Sequence, residues 1–468
     1  MHIKQNECYV EVYECHVKNG QEMNNLRITQ LYSAASEGNF DICKLIIDHL
    51  DDKNPGNIVG STPLHKAAKN GHFEVCKLII DNVANKNPAD MNGTTPFHVA
   101  AQNGHFEICE LIADGVYDKN PADNWGFTPL HMSAGTGHFD VCKLIINQVN
   151  NKNPGDINGQ TPLHIAAKKG HFEIWGLIAD GVDDKNPADN TGFTPLHMSA
   201  QNGQFDVCKV IIRQLDNKNP GDMNGTTPFH LAAQYNHFEI CKLINDNVDN
   251  KNPELLSNGQ TPLHIAAHNG HIGIFELIID HIGDKNPADN QGFTPLHIAA
   301  QSGHLDIYKL IIDKVEDKNP TDNSGAAPFH LAAQYNHFEI CELINDNVDD
   351  RNPADNQGYT PLYNAAEIGS FEVCKFIIGN VDNKNPELFF NGHTPLHIAA
   401  HNGHIDVCEL IIDNIKDKNP ADNQGFTPLH IAAQAGHLDI YKLIVYKVEN
   451  RNPTDYYVGT TLYHLAAQ

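Results

Sequence analysis

A four-residue element, Thr-Pro-Leu-His in exact or degenerate form, recurs along this 468-residue chain. Its Thr position falls at 29, 62, 95, 128, 161, 194, 227, 261, 294, 327, 360, 394, 427 and 461. The spacing is 33 residues, stretched to 34 three times. A fixed period of this size means repeated supersecondary units stacked in line, each in contact with its sequence neighbours.

The repeat that begins at Asp289 shows how one unit folds. Asp289-Asn290-Gln291-Gly292 has the composition of a tight turn, with Gly free to adopt positive φ. Thr294 suits a helix N-cap, and Pro295 the first helical position, where its missing N–H costs nothing. Leu296, Ile298, Ala299 and Ala300 give a short helix able to pack closely, and Gly303 stops it. A second helix is predicted from His304 to about Asp313, with Leu305, Ile307, Tyr308, Leu310, Ile311 and Ile312 as its apolar set. Asp306 near its start is favourable against the helix dipole. Asp317-Lys318-Asn319-Pro320 closes the unit in extended geometry. Neither helix can bury its apolar face alone, so each needs the same faces of the units before and after it.

Thr-Pro-Leu-His, then Ala-Ala, then Gly-His, then Asn, recurring in register over residues 24 to 468, resembles the ankyrin repeat. The resemblance implies an all-α solenoid with β-turn fingers. Each unit would be a finger plus two antiparallel helices, and fingers and inner helices would line a concave face that binds protein. Residues 1–23 do not fit the pattern and read as a worn cap or a tail. Residues 24–455 hold thirteen units, and 456–468 hold the first helix of a fourteenth. That last helix leaves an apolar face unpaired, and we expect the sequence to be a piece of a longer protein.

A globular chain of this length would split into domains, whereas a solenoid grows in one dimension. With helices about 10 Å apart, thirteen units would span on the order of 130 Å. The formal charge of −26 argues against nucleic acid or an anionic membrane as main partner, and favours basic protein ligands. No apolar run reaches membrane-spanning length, and the start, Met1-His2-Ile3-Lys4, has no signal-peptide core. Nine of the eleven cysteines (43, 76, 109, 142, 208, 241, 341, 374 and 408) share one repeat position, filled elsewhere by Trp175, Phe275, Tyr308 and Tyr441. This is an apolar slot in the second helix, where Cys serves as a small hydrophobe. Equivalent atoms would lie about 10 Å apart, too far to bridge. Free thiols point to a reducing compartment, so a cytoplasmic or nuclear monomer is expected.

One departure from the family pattern stands out. Where ankyrin repeats usually carry Gly after the second helix, this chain has Val83, Val116, Val149, Val182, Leu215, Val248, Ile282, Val315, Val348, Val381, Ile415 and Val448. A β-branched residue resists positive φ. The preceding slot often holds Asn or Gly, as at Asn82, Gly115, Gly181, Asn247, Asn347, Asn380 and Asn414. We therefore expect the helix to end one residue early, with the Val tucked back as an apolar contact.

Twelve of the 29 histidines stand at the fourth place of the tetrapeptide and ten follow the helix-ending Gly or its substitute. Zinc needs three or four ligands converging on one point, and a stack repeats rather than converges. These rings are expected to link loop backbone within and between units, with no metal and no cofactor. No nucleophile elbow, phosphate-binding Gly loop or HExxH signature is present, and the recurring carboxylates read as turn formers and helix-end charges. An enzyme is not expected.

The positions that vary between units are the binding candidates. They are Met91, Trp125, Ile157 and Met223 in the fingers, and Phe127, Phe193, Phe293, Tyr359 and Phe426 just before the Thr. Three longer fingers add Leu255-Leu256, Leu388-Phe389-Phe390 and Tyr456-Tyr457. Exposed aromatic anchors are what interface hot spots use. The single Phe residues either meet a partner or pack on neighbouring fingers, and both readings stay open here. For Trp125 and the longer fingers contact with a partner is expected. The resemblance further implies a modification, since loop Asn residues of this kind are substrates of an asparaginyl hydroxylase in some animals. Asn120 and Asn286 match that position, and Pro follows each. The function expected is a non-catalytic scaffold or adaptor. The alternative is the cytosolic arm of a larger protein, such as an ion channel, kinase or ubiquitin ligase.

Overall fold

A computed structural model describes residues 20–448, with side-chain environments from residue 24. The expectations for residues 1–19, for Tyr456 and Tyr457 and for the fourteenth unit fall outside the described residues. Twenty-six helices and no strand occur among the described residues. The chain divides into two compact bodies, Met1–Met223 and Asn224–Gln468.

In the N-terminal body the helices pair from Gly20–Glu37 and Phe40–Ile47 onward, through Pro63–Asn70 and Phe73–Asp81, to Pro195–Gln201 and Phe205–Ile212. Each first helix packs on its own second helix and on the first helix of the next repeat. The C-terminal body repeats the scheme from Pro228–Gln234 and Phe238–Asn247 to Pro428–Ala435 and Leu438–Lys447. The repeat at Asp289 follows its sequence closely. Thr294 is the N-cap in extended geometry, Pro295 opens helix Pro295–Ser302, and Gly303 ends it at φ 77°. His304 then precedes the second helix, Leu305–Ile312. The core is made of the expected residues. Leu296, Ala299, Ala300, Ile307, Tyr308 and Ile311 are fully buried, and each buried Leu or Ile contributes about 1.5–3 kcal/mol. The nine described cysteines are all buried with their thiols unpaired. Burial pushes the thiols up, Cys142 to about 12.

Two stops depart from glycine. Asn236 and Asn336 hold φ at 60° where other repeats have Gly, a left-handed setting that Asn tolerates better than most residues.

The Val slot resolves in a way the sequence only half anticipates. Val116, Val248, Val381 and Ile415 all have φ between −122° and −116°, so none takes the left-handed turn. The preceding Asn or Gly does not take it either. The helix runs through Gly115, Asn247, Asn380 and Asn414 to its end. In several repeats the free carbonyls are instead met by a lysine. Lys119 of the Asp-Lys-Asn-Pro loop folds back and donates to the carbonyls of Ala113 and Val116. Lys285 does the same to Ile279 and Ile282, and Lys418 to Ile412 and Ile415. An ammonium at a helix C-terminus satisfies orphan carbonyls and opposes the dipole. That removes the need for a left-handed glycine there.

Candidate partner-binding site

Each finger is closed by its Asp. In the finger of Trp125, Asp123 Oδ1 accepts from the N–H groups of Trp125 and Phe127, both at 2.9 Å. The Asp123 N–H donates to Phe127 O at 2.8 Å, and the Gly126 N–H to Asp123 O at 3.0 Å. Gly126 sits at φ 85°. A Cβ there would stand 2.8 Å from the Cα of Asp156, so the glycine also lets the next finger approach. The same carboxylate brace recurs at Asp90, Asp156, Asp189, Asp289, Asp322, Asp355 and Asp422.

Adjacent fingers are joined by one backbone hydrogen bond per step. In the N-terminal body these run Met91 N–H to Val59 O, Asn124 to Asn92, Ile157 to Trp125, Asn190 to Asn158 and Met223 to Thr191, at 2.9–3.2 Å. In the C-terminal body they run Leu256 to Asn224, Asn290 to Asn258, Asn323 to Gln291, Asn356 to Ser324, Phe389 to Gln357 and Asn423 to Asn391, again at 2.9–3.2 Å. At Asn124, Asn190, Asn323 and Asn356 the tip carboxamide adds a second bond, as from Asn124 Nδ2 to Met91 O at 2.9 Å.

A row of imidazoles fixes this ladder to the helices. His131 Nδ1 accepts the Thr128 N–H at 3.1 Å, and Nε2 donates to Gln160 O in the next finger, also at 3.1 Å. His65, His98 and His164 repeat the arrangement in the same body, and His264, His297, His330 and His397 in the other. Desolvation by burial lowers the pKa of all eight, and His131 and His397 to about 4. With both nitrogens committed to backbone, these rings are neutral posts and are not free to ligate a metal or move a proton. Among the described residues no group of three or more His, Cys, Asp or Glu is arranged to hold a metal ion. No helix among them is long and apolar enough to cross a membrane.

The binding candidates separate into two sets. Met91, Ile157, Met223, Leu256, Phe389 and Phe390 are 60–74% exposed on the finger tips, and Trp125 is 47% exposed. Leu255 is half-buried, and Leu388 turns inward at 3% exposure while its two neighbours point out. The residues just before the Thr are half-buried against ring systems of their own repeat. Phe127, Phe193, Phe293 and Phe426 lie 4.9–5.7 Å from His131, His197, His297 and His430. Tyr359 lies edge-on to Tyr363 at 5.1 Å and 6.4 Å from Phe390.

Sequence reasoning passed over Ile58, 91% exposed, and Val59, 49% exposed, at the tip of the first finger. Their offset before Thr62 equals that of Met91 and Asn92 before Thr95, and this offset could have found them. The loop asparagines have a local role. Asn120 Oδ1 accepts the Leu130 N–H, and Asn286 Oδ1 the Leu296 N–H, each at 3.0 Å, so they satisfy an orphan donor at the start of the first helix.

A model describing three copies of the ankyrin repeat matches the chain in overlapping windows at residues 4–90, 31–123, 98–189, 177–254, 243–322, 309–387 and 364–455. A search of curated proteins returns no match. Ankyrin repeats are in general protein–protein interaction modules. The finger, the Thr-Pro-Leu-His cap, the paired helices and these matches agree along nearly the whole length, and the chain belongs to the ankyrin-repeat family.

Proposed function

We propose that this protein is a non-catalytic scaffold or adaptor that binds a protein ligand on its finger tips. The observation that carries the reading is the row of exposed apolar tips in the N-terminal body, Ile58, Met91, Trp125, Ile157 and Met223, on fingers joined by backbone hydrogen bonds. Apolar side chains held on a braced backbone offer a partner contact area at low ordering cost. Clustered exposed apolar groups commonly mark interaction surfaces. The net charge of −26 favours a ligand with a basic rim, which would speed encounter at low salt.

The test is proximity labelling or co-purification with the wild type and with the triple variant Met91→Ser, Ile157→Ser and Met223→Ser. A control variant changes exposed residues of the second helices, Glu74→Gln and Glu107→Gln. Partners lost from the triple variant and kept by the control support the finger surface. Partners kept equally by both would place binding elsewhere.

A further inference from the structure

Most repeats hold a second imidazole, and one repeat of the C-terminal body lacks it. The residue after the stop of each first helix lays its ring over the stop of the preceding repeat. His304 Nε2 donates to His268 O at 3.0 Å, His337 to Gln301 O at 3.1 Å, His404 to Glu367 O at 3.0 Å and His437 to His401 O at 2.9 Å. A Cβ built on Gly270, Gly303 or Gly403 would fall 2.5–2.7 Å from a ring atom, so the ring rests directly on the glycine. In the N-terminal body Gln204 takes the position, and its carboxamide donates to Lys168 O.

In the repeat braced by Asp355 the position is Ser370, and Tyr363 replaces the tetrapeptide histidine. This repeat has neither imidazole. A cleft of about 570 Å³, open to solvent, lies at that spot, lined by Asn336, Phe338, Ile368, Ser370, Phe371 and Glu372, with Gly369 between them. By equivalence with Gln234 and Gln301, the acceptor that a ring would reach is Gln334 O, two residues before Asn336 of the cleft wall, and no donor takes it among the described residues. Asn336 does not close the place. Asn236 has the same φ of 60° at the equivalent stop, and His271 still lies beyond it and donates to Gln234 O at 3.3 Å.

We propose that this cleft binds an imidazole ring, the histidine side chain of a partner polypeptide, in the place that the chain fills with its own histidine in neighbouring repeats. The ring enters neutral, gives its N–H to Gln334 O, and lies among Phe338, Ile368 and Phe371. The proposal rests on the protein-binding reading above, and the test needs no partner protein.

The full chain, labelled at the Ile δ1 methyl groups, is titrated with 4-methylimidazole at about pH 9, where the probe is almost wholly neutral. The expected result is a saturable shift of the Ile368 methyl, absent in Ser370→His, where the chain supplies the ring itself. If Ser370→His does not fold, judged by dispersion of the remaining Ile methyls, Ser370→Gln serves instead, after Gln204. 1-Methylimidazole, which has no N–H, should bind weaker by about five-fold, the worth of one hydrogen bond. No shift at Ile368, an equal shift in the filled variant, or equal binding of the two probes would overturn the site. A failed titration leaves the finger-tip reading standing, and failure of the finger-tip variants to lose partners leaves this site standing.

Discussion

Acidification should loosen the finger ladder well before the carboxylates titrate, and His131 sets the scale. Its Nδ1 accepts the Thr128 N–H at 3.1 Å, so a proton there would set donor against donor in a buried place. Burial lowers its pKa to about 4, against about 6.5 for an unfolded histidine. A depressed histidine contributes stability in full above the unfolded value and loses it as pH falls from 6.5 toward 4, because the unfolded chain takes up the proton and the folded one does not. The whole window is about 2.5 pH units at 1.36 kcal/mol each, or about 3.4 kcal/mol. Between pH 7 and pH 5 about 2 kcal/mol of it should go for His131, with a similar figure for His397. The perturbation is His131→Tyr, an exchange for which the chain has its own precedent, since the Tyr32 hydroxyl donates to Ser61 O, the equivalent finger carbonyl. Hydrogen exchange across residues 128–160 at pH 7 and pH 5, corrected for intrinsic rates, reads the local stability. The wild type should lose about 2 kcal/mol more than the variant over this interval. Ring-carbon NMR gives the direct check, and a His131 midpoint above pH 6 would refute the reasoning.

Three further outcomes follow from the same geometry. Gly126→Ala combines a φ of 85° with a Cβ placed 2.8 Å from the Asp156 Cα, whereas a Cβ on Gly436 at φ 79° meets nothing within 4 Å among the described residues. Urea unfolding should show Gly126→Ala costing about 1–3 kcal/mol more than Gly436→Ala, and equal costs would sink the close-approach explanation. Asn245 is buried with neither carboxamide atom bonded, in the slot filled by Ile212, Ile279 and Ile312 elsewhere. Asn245→Ile should therefore stabilise the C-terminal body by about 1–2 kcal/mol in the same assay, and a loss would show an undetected role for the amide. Lys119→Met removes the ammonium from the end of helix Phe106–Gly115. Amide exchange at residues 113–117 should accelerate about five-fold, and unchanged protection would mean that water serves those carbonyls as well.

Much of the architecture was legible because the repeat writes its local chemistry into the chain many times over. Thr294 and Pro295 open a helix, Gly303 closes it, and Gly292 turns the finger, each through preferences that act within a few residues. The role of the tetrapeptide histidines could be read in kind for a similar reason: a residue that recurs in nearly every unit serves the unit.

What the sequence determined by itself is thus everything set by neighbours along the chain, namely the period, the caps, the turns and the apolar faces. Tertiary structure decided what depends on neighbours in space. Leu388 is inside and Phe389 outside, although the two are adjacent and both apolar, because only the stacked fingers define an interior. Phe127 leans on His131 while Trp125, two residues earlier, faces solvent. Lys119 supplies a helix end that glycine supplies in other ankyrin repeats, and Ser370 leaves a cleft only because the ring missing there would have rested on the repeat before it. Local preference is a property of a few consecutive residues, whereas exposure and vacancy are properties of what the next repeat places alongside.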